Sequence, residues 1–292
     1  YPAAEVSLIQ KKQLDTIGGN VQALCVDGKF DDCQNLVKEA FADKELASFN
    51  LSSANSINFG RILPQIVYYI YAYAQLAGAD EEVIVSVPSG NFGDALGCEY
   101  ARRMGLPVAK LIMPTNENDE FPRYLETGKY TKVSPSRACI SNAMNVGHPS
   151  NLARFFDLYG GTVDRAGRVH RYPDLDEMRR RIFSVSVSDE LTRQTIRSVY
   201  ERYRVIVEQH GAVGWAGLEA YIKKTQDRRL AICLETAHPA KFPDEIKNLL
   251  GIDPELPESM KDLARREGSA VNMSRDFSAF KKYLKDHLKV KE

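Results

Sequence analysis

Val83-Ile-Val-Ser-Val-Pro-Ser-Gly-Asn-Phe-Gly-Asp94 decides the fold class. Val83 to Val87 is an almost continuously apolar run, the pattern of a strand covered on both faces of a parallel sheet. Pro88 to Gly93 is a glycine-rich loop, and a helix follows from Asp94 to Met104 until Gly105-Leu-Pro stops it. Val108 to Met113 is the next apolar run. Strand, loop, helix and strand in this order predict an α/β chain.

The same alternation extends outward. Val21 to Val26 reads as a strand closed by Asp27-Gly28, and Asp31 to Ala42 as a helix. Arg61 to Leu76 keeps apolar residues at i, i+3 and i+4 (Ile62, Leu63, Ile66, Val67, Tyr69, Ile70, Tyr73) and predicts a strong helix with Pro64 in its first turn. Residues 114–175 are rich in Asn, Gly, Pro and Ser and read as irregular. Helices are expected over Ser188–Tyr203, with Ser188 as N-cap, and over Gly211–Lys224. A buried strand is expected at Leu230–Leu234, and further helices over Lys241–Leu250 and Asp276–Leu288. No internal repeat or low-complexity segment is present.

Length and composition narrow the function. The chain has 292 residues, enough for one large domain or two modest ones. Its 39 basic and 39 acidic side chains cancel, which removes the electrostatic footprint of a nucleic-acid binder. The longest apolar stretch, 61–76, is too short and too rich in Tyr and Gln to span a bilayer. Cys25, Cys33, Cys98, Cys139 and Cys233 are scattered, with no C-x-x-C, and His148, His170, His210, His238 and His287 never fall at H-x-x-x-H spacing. Reduced thiols in a cytoplasmic protein without a bound metal are expected. Tyr1-Pro-Ala-Ala does not begin as a translated protein begins and carries no signal-like segment, so the chain reads as a cut or processed product.

Three clusters carry the candidate chemistry. In Ser89-Gly90-Asn91-Phe92-Gly93-Asp94, glycines let the backbone approach an oxyanion, Ser and Asn add donors, and the helix start supplies free N–H groups. The spacing is neither G-x-G-x-x-G nor a Walker A motif. A single phosphate fits better than a dinucleotide, and a plain tight βα turn remains the alternative. In Asn55-Ser56-Ile57-Asn58-Phe59-Gly60-Arg61, several donors converge ahead of an apolar helix, and Arg61 can grip a phosphate or carboxylate. The alternative is simple capping by Asn58. Glu235-Thr236-Ala237-His238-Pro239-Ala240-Lys241-Phe242 follows a buried strand, where open α/β sheets place their ligands; singly, His238 and Lys241 also read as an ordinary loop residue and a solvated helix start.

Together these clusters resemble threonine synthases of the longer bacterial and fungal subgroup. The resemblance runs from Leu14-Asp-Thr-Ile-Gly-Gly-Asn20 through Asn55–Ile66 and Val87-Pro-Ser-Gly-Asn-Phe-Gly-Asp94. It continues through Ser141-Asn-Ala-Met-Asn145 and Thr236-Ala-His-Pro-Ala-Lys-Phe242. It implies an α/β fold-type II pyridoxal-phosphate enzyme, tryptophan-synthase-β-like, with parallel-rich sheets, helices on both faces and two lobes. Residues 1–60 would be the remainder of a small, substrate-side domain, and 61–292 a large cofactor-binding domain.

The function implied is conversion of O-phosphohomoserine and water to threonine and phosphate with pyridoxal 5'-phosphate as cofactor. Gly90, Asn91, Phe92 and Gly93, flanked by Ser89 and Asp94, map onto the cradle for the cofactor's phosphate, and Thr236 onto the hydroxyl that meets its pyridine nitrogen. Asn55, Ser56 and Arg61 look like the grip on the substrate's phosphate, with Asn58 and Lys241 as helpers. The family's Schiff-base lysine lies in a Phe-Lys-Asp context that does not occur here, and is expected upstream of Tyr1. On that reading the chain alone does not turn over, and its N-terminal portion is missing or present as a separate segment. A monomer or weak homodimer is implied, without nucleic-acid or membrane partners. A threonine-synthase-like phospho-lyase and a non-catalytic phosphate-binding fragment are the competing readings.

Overall fold

The computed structural model describes residues 1–3, 6 and 8–288. In chain order, α1 (Leu8–Asp15), β1 (Leu24–Val26) and α2 (Phe30–Ala42) lead to α3 (Phe59–Leu76), β2 (Val83–Ser86), α4 (Gly93–Arg103) and β3 (Val108–Ile112). Next come α5 (Glu120–Thr127), α6 (Leu152–Leu158), β4 (Thr162–Val163), β5 (Val169–Arg171), α7 (Leu175–Arg181) and β6 (Ile182–Phe183). The chain continues through α8 (Asp189–Tyr203), α9 (Gln209–Thr225), β7 (Leu230–Cys233), α10 (Pro243–Leu250), α11 (Glu258–Lys261), β8 (Val271–Met273) and α12 (Phe277–His287). It divides into two compact units, one of Ala54–Pro239 and Asp244–Ile252, the other of Tyr1–Ser53, Ala240–Pro243 and the chain from Asp253 on.

The first unit is built on a parallel sheet of order β6-β3-β2-β7. β2 is buried along its whole length, as its unbroken apolar run requires. Alternate side chains serve opposite faces: Val83 and Val85 join a core with Ile62, Ile66, Tyr69 and Leu96, whereas Ile84 packs with Ile112, Leu218 and Tyr221. Helices α3 and α4 therefore cover one face and α9 the other. Only one side of α3 is buried, through Ile62, Ile66 and Tyr69; Leu63, Val67 and Ile70, which share the same periodic set, are exposed. Asn58 caps this helix, which starts two residues earlier than the periodicity predicts, so Pro64 falls in the second turn and not the first.

Residues 114–175 are less irregular than their composition predicts. α5, α6 and the antiparallel β4–β5 pair surround an aromatic core of Phe92, Phe121, Tyr124, Tyr130, Phe155 and Phe156. Helices of 8 and 7 residues are too short to show a period in sequence. α10 begins at Pro243, and the expected helix start at Lys241 is instead a separate 3-10 turn.

In the second unit β1 pairs in parallel with β8. α2 and α12 pack on this pair through Leu36, Cys33, Phe277, Phe280 and Tyr283. Lys281 bridges Asp43 and Glu45 at 2.8 and 2.9 Å. The pairing of an early strand with a late one places the chain's C-terminal segment with its N-terminal one, so the compact units do not follow a cut between residues 60 and 61 that carries the second part to 292.

Candidate functional site

Because β2 lies between β3 and β7 in the sheet, the loops leaving the carboxyl ends of β2 and β7 are neighbours: Ser86 is level with Cys233, and Leu234 N donates to Ser86 O at 2.9 Å. The glycine-rich loop and Thr236 thus emerge at one sheet edge, about one strand spacing of ~5 Å apart at their roots.

The loop ends in an unusual helix start. Phe92 is the N-cap of α4 and adopts a left-handed φ of 63°, and no side chain caps the helix. A non-glycine residue in this conformation costs on the order of 1–2 kcal/mol. The Phe92 ring, 2% exposed and stacked edge-on against Phe121 and Phe155, holds it there. The result is a helix N-terminus with its first N–H groups left for an anion. The fold itself favours glycine at 90, since a Cβ there would stand 3.0 Å from Ala143 O and from Met144 Cα, and this backbone would have to give way. The expected reason, room for a phosphate alone, is incomplete: the loop at 141–145 is the floor of the cradle.

Two flanking residues turn inward. Ser89 N donates to Pro114 O at 2.9 Å and Ser89 Oγ to Val87 O at 2.7 Å, so both of its donors are engaged in the fold and it acts as a strut. The Asp94 carboxylate accepts from the buried Tyr69 hydroxyl at 2.7 Å, which ties α4 to α3. Burial raises the Asp94 carboxyl above the usual range, and the Tyr69 hydrogen bond partly opposes this. Tyr69→Phe should therefore cost roughly 1–3 kcal/mol by leaving a buried acceptor unpaired. With Asp94 raised in the folded state, the native protein holds a proton that the unfolded chain has released, so this group's stability contribution falls as pH rises past 3.8. Without the tyrosine the rise is larger, and urea unfolding should show a greater Tyr69→Phe deficit at pH 7 than at pH 4.

The structure also brings the second cluster to the first. A Cβ at Gly93 would lie 3.2 Å from Ser56 Cβ, so residues 55–57 abut the start of α4. The link is made by two residues that sequence reasoning missed. Asn151 Nδ2 donates to Asn91 O at 3.0 Å, and its Oδ1 accepts from Arg154. The Arg154 guanidinium also donates to Ser56 O at 3.2 Å and to Ile57 O at 2.7 Å. Both sit at the start of α6, within the stretch that reads as irregular, and their signal was only an Asn-x-x-Arg spacing. Asn91 Oδ1 accepts from Ser150 N at 3.1 Å, which leaves its NH2 group as the donor. Asn58 Oδ1 accepts from Gly60 N at 2.9 Å, so the capping role holds, while Arg61 is exposed.

Behind the floor lies a buried polar network. Glu208 caps α9, its carboxylate accepting from His210 N and Gly211 N, both at 3.0 Å, and its Oε2 lies 2.5 Å from His210 Nδ1. His210 Nε2 accepts from Ala143 N at 3.2 Å, which assigns the ring proton to Nδ1. Glu208 N donates to Glu235 Oε1 at 3.3 Å. Glu235 is exposed as a residue, yet its carboxyl end is crowded: a Cβ on Gly211 would lie 1.8 Å from Glu235 Oε2. Desolvation of that carboxyl and the adjacent Glu208 push Glu235 up to about 9. Burial works against charge on Glu208, but hydrogen bonds from His210 and the backbone outweigh it and hold Glu208 below the usual range. Thr236 is exposed at the end of β7 beside Glu235. Lys241 is half-buried in the other compact unit.

Comparison with known proteins bears on this site. Residues 2–234 match the model of the pyridoxal-phosphate dependent enzyme family, and 211–284 that of the threonine synthase C-terminal region. The threonine synthase of Escherichia coli K12 is 37% identical over 295 residues, covering 98% of this chain and 63% of that protein. That of Saccharomyces cerevisiae is 37% identical over 301 residues, covering 90% and 59%. A crystal structure of PLP-bound threonine synthase from Brucella melitensis superposes with a TM-score of 0.86 at 33% identity, covering 99% of this chain and 64% of that one. The chain thus spans less than two thirds of the length of these relatives.

Proposed function

The chain belongs to the family of pyridoxal-phosphate-dependent enzymes, and from that premise we propose that it is the cofactor-holding part of a cytoplasmic threonine synthase, which converts O-phospho-L-homoserine and water to L-threonine and phosphate. The observation that supports this reading is the uncapped, glycine-flanked start of α4 on the loop that leaves β2, whose neighbour in the sheet is β7, the strand that leads to Thr236. The residues fit the cofactor. The free N–H groups from Gly90 to Gly93 and the Asn91 amide suit a phosphate monoester, and the neutral Thr236 hydroxyl suits a pyridine nitrogen that carries little charge. Bound there, pyridoxal phosphate supplies an electron sink for proton removal at the carbon bearing an amino acid's amine.

The protein's own residues then do the positioning. The α4 dipole fixes the cofactor's phosphate end, and Tyr69 and Asp94 keep that helix in place against α3. Asn55, Ser56 and Arg61 hold the substrate's phosphate, which is both binding handle and leaving group; Ser56 abuts the start of α4, and Arg154 ties Ser56 and Ile57 to Asn151. Asn58 shapes this segment through its cap. In the overall reaction the Cγ–O bond to phosphate breaks and water supplies the hydroxyl at Cβ.

Kinetics of the holoenzyme test the assignment. Arg61→Ala should raise KM for O-phosphohomoserine by roughly 10- to 100-fold, the worth of a charged hydrogen-bond pair, while retention of pyridoxal phosphate changes less than about 2-fold. Equal loss of both removes Arg61 from the substrate site. Release of a keto acid in place of threonine would assign the chain to a phospho-lyase.

A further inference from the structure

The network behind the cradle touches both of the cofactor's attachment points, and the chemistry above uses none of it. At one end, His210 holds the Ala143 N–H, and Ala143 O and Met144 Cα are the atoms against which Gly90 packs. At the other, the Glu208 N–H holds the carboxyl of Glu235, the residue directly before Thr236. Between them the Glu208 carboxylate and the His210 ring are joined at 2.5 Å, with Glu208 fully buried and His210 4% exposed. The links are hydrogen bonds, and all three residues belong to one compact unit.

We propose that Glu208, His210 and Glu235 are positioning residues: a hydrogen-bond relay that sets the 141–145 floor under Gly90 and the Thr236 end of β7 in one arrangement, so that phosphate cradle and ring-nitrogen partner are fixed together. The proposal rests on the cofactor reading above and assigns the residues that make its site rigid. The relay needs two carboxyl groups in contact, which is tolerable only while one of them carries a proton. The groups facing Glu235 are Glu208, with His210 beyond it, from the start of α9, and Cys233 from its own strand; no cation is among them in the described residues. Deprotonation of Glu235 therefore sets two carboxylates against each other, and the β7 end gives way because it is the exposed partner. With Glu235 pushed up to about 9 by this crowding, the relay is intact at neutral pH and loosens as pH rises through that value.

Backbone hydrogen exchange on the chain without cofactor reads the relay directly. His210→Phe removes the acceptor for Ala143 N–H and the donor to Glu208. It should accelerate exchange at least about 10-fold both at 142–145 and, across the relay, at 234–237. His210→Gln, whose amide oxygen can still accept from Ala143, should restore most of the protection. Gly211→Ala, whose Cβ displaces only the flexible carboxyl end of Glu235, should loosen 234–237 while α9 stays protected. With pyridoxal phosphate added, the wild type should lose retention above about pH 9, and Glu235→Gln, neutral at every pH, should not.

Acceleration confined to 142–145 in His210→Phe would overturn the relay, as would an alkaline loss in Glu235→Gln matching the wild type. A wild-type chain that retains no pyridoxal phosphate at any pH overturns the cofactor reading instead, and the exchange measurement still decides the relay.

Discussion

Replacing Gly90 by valine should weaken retention of pyridoxal phosphate by roughly 100-fold, with alanine between valine and wild type. The effect arises inside the protein. The first added carbon meets Ala143 O and Met144 Cα at 3.0 Å, and both are backbone atoms held by other bonds: Ala143 N by His210, and Met144 N by Ser141 O at 2.9 Å. Two further methyl groups cannot be placed without moving either this floor or the loop whose N–H groups face the phosphate. Overpacking of this kind costs roughly 1–3 kcal/mol, and here the strain falls on the segment that binds. Gel filtration with added cofactor, followed by the absorbance of the protein peak, measures it. Wild-type retention in the valine variant would show that the phosphate sits elsewhere.

Arg154→Ala should be the more damaging to the substrate side. One guanidinium spans three acceptors, Asn151 Oδ1, Ser56 O and Ile57 O, and so joins the loop behind Asn91 to the segment that carries Asn55 and Ser56. Removing a charged donor from this junction costs roughly 2–4 kcal/mol, which is about 30- to 1000-fold in any equilibrium that depends on it. The loss should appear in KM for O-phosphohomoserine in the holoenzyme and in the urea midpoint of the chain, with a smaller effect on cofactor retention. Lysine should not rescue it, because one ammonium cannot reproduce the fork that reaches two successive carbonyls. Unchanged kinetics in Arg154→Ala would mean that residues 55–57 do not depend on this bridge.

The central part of both fold and site was legible because local signals agreed there. Val83 to Asp94 combines an unbroken apolar run, which only a doubly covered strand explains, with a glycine loop and a helix, and the structure puts a buried strand and an uncapped helix start at those positions. Asn58 announced its cap by residue type. Long-range placement was not legible. Arg154 lies in a helix of 7 residues, too short for a period, and its partners are 97 and 98 positions away in sequence. Pairing of β1 with β8 joins residues about 250 apart through strands of 3 residues, which no window of local sequence can reveal. Ser89 has a type that suits a phosphate donor, and in the fold its hydroxyl donates to Val87 O at the strand end, a bond that residue type alone does not reveal. His210 was read only against metal spacing, whereas its role depends on a helix cap two residues earlier and a loop 67 positions away.

The central claim is that the start of α4 holds the phosphate of pyridoxal phosphate while Thr236 meets its ring, and amide chemical shifts test it most directly. Titrating the isotope-labelled chain with pyridoxal phosphate should shift the amides of Gly90, Phe92 and Gly93 together with Thr236. Inorganic phosphate should shift the first group alone and more weakly, and pyridoxal lacking the phosphate should leave that group unmoved. Shifts from pyridoxal phosphate that spare residues 90–93, or that appear equally with pyridoxal, would contradict it.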